Sequence, residues 1–143
     1  MGVLSDIVIA GPSSAQAITE AEDPSESFDG VDVPGLSTIM LGTLHELVLG
    51  EAYDAVKDYY NTDVASASDE GPWVFPVKPD LRQALADMDT AKIQDVATAW
   101  AKTEEFILDG FRVEDVTSLL QRLTEAAGRA ATSNLELFLC ISL

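Results

Sequence analysis

Basic residues are scarce in this chain of 143 residues, which has 8 Lys and Arg against 25 Asp and Glu and a formal net charge of −17. Proteins bind nucleic-acid phosphates through Lys and Arg, which displace condensed counterions. Anionic membrane surfaces attract the same two residue types. The composition therefore argues against direct nucleic-acid binding and against electrostatic attachment to a membrane. The complementary partner of so acidic a chain is a more basic protein, a cation or water.

Cysteine and histidine each occur once, as Cys140 and His45. One cysteine forms no intramolecular disulfide, and one Cys with one His does not supply the ligands of a structural zinc site. His45 and Glu46 begin like the zinc-protease helix motif, but Leu49 stands where that motif has its second histidine. We therefore identify no catalytic residue and expect no metal and no cofactor, which favours a protein that is not an enzyme.

Long apolar runs are also missing, because no stretch approaches the roughly 20 residues of a membrane-spanning helix. The N-terminus has no basic segment followed by an apolar run and a cleavage site, so we expect no signal peptide. Met1 and Gly2 begin like a myristoylation motif, but Asp6 stands where that motif has Ser or Thr. The sequence therefore predicts a soluble, cytoplasmic protein.

The apolar content of 47% and the chain length predict one domain over residues 1–143. Apolar side chains recur at helical spacing in about five segments. Apolar, β-branched runs over residues 4–10 and 135–143 predict strands at the two ends of the chain. Since a strand this apolar invites aggregation if left unpaired, we expect both to lie in one sheet. The predicted fold is α+β and mainly helical, with the helices packed on a small sheet that contains both terminal strands.

Two polar segments, residues 22–35 and 61–72, are predicted to be acidic surface loops because Asp, Gly, Pro and Ser are frequent in them. Acidic charge is concentrated in the first half of the chain, where residues 1–71 carry a net charge of −13 and residues 72–143 carry −4. We interpret this asymmetry as one acidic face of a single domain rather than as two domains.

A surface that combines carboxylates with one or two aromatic side chains suits a basic protein partner. Tyr59 and Tyr60 are adjacent in a predicted helix and cannot both face the core, so one of them is expected to be exposed. The residues of the predicted surface are Glu22, Asp23, Asp29, Asp32, Asp54, Asp58, Tyr59 and Trp73. The hypothesis is a non-enzymatic interaction module, similar to inhibitors and immunity proteins in charge and size alone.

Two other functions remain open at this stage. A small-ligand-binding protein or enzyme would combine His45 with carboxylates in a pocket formed by folding. An acidic domain of the halophilic type would use its charge only for solvation. A homodimer is expected as readily as a monomer, since the C-terminal strand, if it lies at a sheet edge, would pair with its copy across a two-fold axis.

Overall fold

The computed structural model describes residues 4–143, so Met1 and Gly2 lie outside the described residues. Within this range the fold is α+β, as predicted, with five strands and eight helices. The strands are β1 (Leu4–Ala10), β2 (Asp29–Asp32), β3 (Ala65–Ser66), β4 (Trp73–Pro76) and β5 (Glu136–Ser142). The helices are α1 (Ala15–Glu20), α2 (Pro24–Ser27), α3 (Thr38–Leu49), α4 (Tyr53–Tyr60), α5 (Pro79–Ala86), α6 (Thr90–Trp100), α7 (Glu104–Leu108) and α8 (Val113–Ser133).

The five strands form one antiparallel sheet in the order β2-β1-β5-β4-β3. The expectation that the two terminal strands share a sheet is confirmed, because β1 and β5 pair from Leu4 opposite Ser142 to Ala10 opposite Glu136. β5 is the central strand, with β1 on one side and β4 on the other. The condition that β5 lies at a sheet edge is therefore not met, because both of its sides are already paired, and a homodimer stays a prediction from sequence.

The two faces of the sheet are covered unequally. Ile7, Leu137 and Leu139 point into the main core, which α3, α5, α6 and α8 share. Val8 and Phe138 point to the opposite face, which is covered by α1 and by the chain around α2; we call it the α1 face. Because both faces are buried, β1 and β5 are nearly continuous apolar runs rather than alternating ones.

Trp100 is a fully buried core residue that joins two helices, as the apolar stripe of α6 predicted. Its indole N–H donates to the Met40 carbonyl in α3 at 3.0 Å. Its ring packs edge-on against Phe106 of α7, with centroids 4.8 Å apart. Burial of the aromatic surface and a satisfied polar atom together fix the position of α6 against α3.

The sequence predicts helix caps at Ser37, Asp80 and Asp89, each just before an apolar helical pattern, and the structure agrees at two of the three. The Ser37 hydroxyl accepts from the Met40 N–H at the start of α3, and the Asp89 carboxylate accepts from the Lys92 N–H at the start of α6. Gly50 ends α3 with a φ of 77°, a left-handed conformation that glycine adopts without strain. Asp80, expected to cap α5, instead lies in its first turn, because Pro79 occupies the first helical position.

The two segments predicted as loops contain regular structure. Residues 22–35 include α2 and the edge strand β2, and residues 61–72 include β3. The glycine of β2 lies so close to β1 that an added Cβ at Gly30 would overlap the Ile7 carbonyl oxygen. A polar Asp-Gly step is typical of a turn, but pairing with an apolar strand outweighs that local preference here.

The outer edge of β2 is covered by two arginines of α8. Arg122 donates to the Asp32 carbonyl at 3.0 Å, and Arg129 donates to the Gly30 carbonyl at 3.5 Å. Unpaired carbonyls at a sheet edge are a template for another chain. These two side chains therefore occupy the acceptors that a second strand would use.

Replacing Gly30 with alanine is expected to destabilise the protein by about 1–3 kcal/mol, because the new methyl group meets the backbone of β1. The control is Gly128→Ala in α8, where an added Cβ finds no atom within 4 Å. This control is expected to stabilise by about 0.5–1 kcal/mol, since alanine favours a helix. Urea unfolding of both variants measures the difference, and equal effects at the two sites would contradict the close packing of β2 on β1.

Candidate functional site

An acidic cleft of about 430 Å³ opens at one end of the α1 face. Five carboxylates line it, together with short polar and apolar residues, and no lysine or arginine does so among the described residues. The acidic residues of this acidic cleft are Asp6, Glu22, Asp23, Glu26 and Asp32. The cleft is therefore a concentrated, largely uncompensated region of negative charge.

Three separate segments build the acidic cleft. Asp6 of β1 lies opposite Asp32 in the register with β2. Glu22 and Asp23 connect α1 to α2, and Glu26 lies in α2. Folding brings these segments together because β2 pairs with β1 and α2 packs against both strands.

Electrostatic repulsion within the acidic cleft is felt most strongly at Asp6. Burial raises the pKa of this carboxyl above its usual value, and the nearby charges of Asp23 and Asp32 raise it further. A hydrogen bond from Ser25 opposes the shift by lowering the pKa. A cation bound in the cleft would offset both the cost of burying the Asp6 charge and the repulsion between Asp6 and its neighbouring carboxylates.

The structure brings only part of the predicted acidic surface together. Glu22, Asp23 and Asp32 line the acidic cleft, whereas Asp29 forms an ion pair with Arg129 at 3.0 Å. Asp32 also has an arginine near it, with Arg122 at 3.9 Å from its carboxylate.

Asp6 and Glu26 line the acidic cleft but do not belong to the surface predicted from sequence. The alternation of β1 was a usable signal for Asp6, because it places this carboxylate on the same face as Val8 and Ala10. Glu26 lies within residues 22–35, a segment predicted to be a loop. Its sequence pattern therefore does not indicate which residues lie beside it.

A second concavity, the apolar groove, has a volume of about 300 Å³ and lies on the same sheet face. Its lining is mostly proline and aliphatic, with one exposed aromatic ring. The lining residues are Pro12, Ala15, Tyr59, Val64, Pro76, Val77, Pro79, Glu136, Leu137 and Phe138. Tyr59 is 38% exposed and Tyr60 is fully buried, which confirms that only one of the two faces the core.

The remaining predicted surface residues lie apart from both concavities. Asp54 and Asp58 are exposed on α4, and Asp54 lies 3.4 Å from the Lys57 ammonium. Trp73 is half-buried in β4, where its ring packs against Gly71. None of these three side chains lines the acidic cleft or the apolar groove.

His45 is fully buried and both of its ring nitrogens are hydrogen-bonded. Nε2 lies 2.8 Å from a carboxylate oxygen of Glu51, and Nδ1 lies 2.8 Å from the Tyr60 hydroxyl. Since a carboxylate only accepts, Nε2 carries a proton and donates to Glu51, and Nδ1 shares a hydrogen bond with the Tyr60 hydroxyl. The bond from His45 lowers the pKa of Glu51, and burial raises the pKa of the Tyr60 hydroxyl.

This Glu51–His45–Tyr60 network has the connectivity of an acid–base relay, but only its Glu51 end is exposed to solvent. The Tyr60 side chain is fully buried, and His45 lines none of the clefts described here. The network instead connects α3, the turn after it and α4. A ligand site around His45 therefore stays a prediction from sequence for which this geometry supplies no pocket.

Neither a metal centre nor a membrane helix is found in the part of the chain that the structure describes. Among residues 4–143, no group of three or more His, Cys, Asp or Glu side chains is placed to hold a metal ion. In the same range, no helix is both long enough and apolar enough to span a bilayer. No family model matches the chain, and no curated protein and no solved structure shows significant similarity to it.

The Tyr60→Phe substitution is expected to destabilise the protein by about 1–3 kcal/mol, because His45 Nδ1 loses the Tyr60 hydroxyl as its hydrogen-bond partner in a buried site. The neighbouring Tyr59→Phe substitution removes a hydroxyl from a half-exposed ring and is expected to change stability by less than about 0.5 kcal/mol. Urea unfolding of both variants tests this difference. NMR of the wild-type imidazole is expected to show a proton on Nε2, and a ring protonated on Nδ1 alone would refute the assignment.

The Asp6→Asn substitution is expected to raise the melting temperature at pH 7. The pKa of Asp6 is raised in the folded protein, so this carboxyl favours folding when protonated, below its unfolded pKa near 3.8, and opposes folding as pH rises through its folded pKa. The gain from asparagine should therefore disappear below pH 3.8. Asp95→Asn, which changes the same charge at an exposed position of α6, is the control. A pH-independent gain would contradict this account.

Proposed function

We propose that this protein is a non-enzymatic interaction module that binds a more basic protein through the acidic cleft. The observation that carries the proposal is that five carboxylates converge on one concavity that no lysine or arginine of the described residues lines. A Lys or Arg side chain from a partner is long enough to reach into such a cleft while its aliphatic stem packs at the rim.

The electrostatics of the acidic cleft favour an external cation. Asp6 is held with a raised pKa by burial and by two neighbouring carboxylates. A bound cation would stabilise the ionised form of Asp6. It would thus offset the cost of burial and repulsion that stays uncompensated in the free protein. Net charge of this sign also steers a basic partner toward the surface and raises the association rate.

In this proposal the protein is cytoplasmic. A chain with a single cysteine forms no intramolecular disulfide and so gains nothing from an oxidising compartment. Asp29 is not part of the proposed contact surface, since Arg129 already holds its carboxylate. Asp54 and Asp58 contribute to the long-range field rather than to the cleft.

Affinity capture with matched variants tests the proposal. The cleft variant carries Glu22→Gln, Asp23→Asn and Glu26→Gln, and the control variant carries Asp95→Asn, Glu104→Gln and Glu114→Gln. Both sets are exposed, and both reduce the negative charge equally. We expect the wild type and the control to retain the same basic protein from a lysate of the source organism at low salt. The cleft variant is expected to lose it, as is the wild type at high salt.

Two results would contradict the proposal. Equal retention by the cleft and control variants would show that net charge, not the cleft, attracts the partner. Failure of the wild type to retain any protein at either salt concentration would favour the alternative in which the acidic surface serves solvation.

A further inference from the structure

Arg122 of α8 lies beside the acidic cleft without lining it. Its Nη1 atom donates to the Asp32 carbonyl at 3.0 Å and lies 3.9 Å from the carboxylate of Asp32, which does line the cleft. On its other side Arg122 lines a second concavity, the α8 concavity, which shares Pro34 with the acidic cleft. The residues of the α8 concavity are Pro34, Asp109, Gly110, Phe111, Asp115, Ser118, Leu119 and Arg122. The guanidinium therefore stands between two concavities, close to one carboxylate of the acidic cleft.

The contact between Arg122 and the Asp32 carboxylate is loose. The other arginine at the edge of β2, Arg129, lies 3.0 Å from Asp29 and 2.9 Å from Glu125. Arg122 approaches its carboxylate only to 3.9 Å, and its side chain is 46% exposed while that of Asp32 is 70% exposed. Water and salt screen an exposed pair of this kind, so it contributes little to stability. A competing cation therefore replaces Arg122 at the Asp32 carboxylate at small cost.

The α8 concavity offers the displaced guanidinium a second position. It has a volume of about 430 Å³, and the carboxylates of Asp109 and Asp115 line it together with Arg122. Asp115 already accepts from the Arg112 N–H at 3.0 Å, whereas none of the ion pairs among residues 4–143 involves Asp109. Arginine is long and flexible enough to move its charged end while its stem stays packed. A counter-charge is therefore present on the side to which Arg122 would move.

We propose that Arg122 is an internal competitor of the basic partner, which holds Asp32 in the free protein and moves into the α8 concavity when a partner's cation enters the acidic cleft. This inference rests on the proposed function and adds a residue that regulates it. Any cation that enters the cleft meets the positive charge of Arg122 beside Asp32. A small cation is therefore disfavoured relative to a protein partner, which makes further contacts that offset this repulsion.

A short basic peptide tests the competition. The probe is the acetylated, amidated peptide Arg-Gly-Arg, titrated at low salt into the ¹⁵N-labelled full chain. Its neutral counterpart carries citrulline in place of both arginines. The amide signals of Glu22, Asp23 and Ser25 report on the acidic cleft, because these residues line it. We expect the arginine peptide to shift these signals in a saturable way and the citrulline peptide to leave them in place.

Matched variants measure the effect of Arg122 on binding. Arg122→Gln is expected to lower the Kd of the arginine peptide about threefold at low salt, because no internal charge then competes beside Asp32. Arg122→Lys keeps the positive charge and is expected to keep the Kd of the wild type, which separates competition from the role of the guanidinium at the edge of β2. Lys92→Gln removes the same charge from an exposed position of α6 and is expected to change the Kd much less.

The outcomes separate this inference from the proposed function. If Arg122→Gln leaves the Kd unchanged, raises it or only matches Lys92→Gln, the inference is overturned while the acidic cleft keeps its support. If Arg122→Lys strengthens binding as much as Arg122→Gln, the positive charge is not what competes, and the inference is overturned as well. If the arginine peptide shifts no cleft signal in the wild type or in any variant, the acidic cleft binds no such cation, and the proposed function fails together with this inference.

Discussion

The pairing of β1 with β5 is the contact on which the rest of the structure depends. It unites residues 4–10 with residues 136–142 at the centre of the sheet. One face of this pair supplies the apolar wall against which α3, α5, α6 and α8 build the main core. The other face supplies the floor of both concavities, with Asp6 at one end and Phe138 at the other. The core and the proposed interface are therefore the two sides of one strand pair.

Four of the eight basic side chains of the chain make specific contacts with neighbouring elements. Arg122 and Arg129 hold the edge of β2, and Arg82 and Lys78 lie at the apolar groove. The acidic cleft, by contrast, has no such neighbour in its lining. The surplus of carboxylates thus forms a concentrated negative surface only where folding brings them together, which is why net charge alone could not locate that surface.

Sequence patterns predicted the elements whose stability comes from their own apolar residues. The strands predicted over residues 4–10 and 135–143 agree with β1 and β5 of the structure. The short polar strands β2 and β3 were missed because their pairing depends on a neighbouring strand rather than on their own composition. The acidic cleft was predicted only in part, since the neighbours of Asp32 include Asp6 from across the sheet and Arg122 from α8.

The central position of β5 has a kinetic consequence. The strand that completes the middle of the sheet is the last one along the described chain, and it closes a loop that spans nearly all of it. Contacts between residues this distant in sequence slow folding, because the entropy of loop closure is lost before the contacts form. During synthesis, β1 therefore lacks its central pairing partner until residues 136–142 have left the ribosome. In that interval its apolar side chains depend on other protection from aggregation.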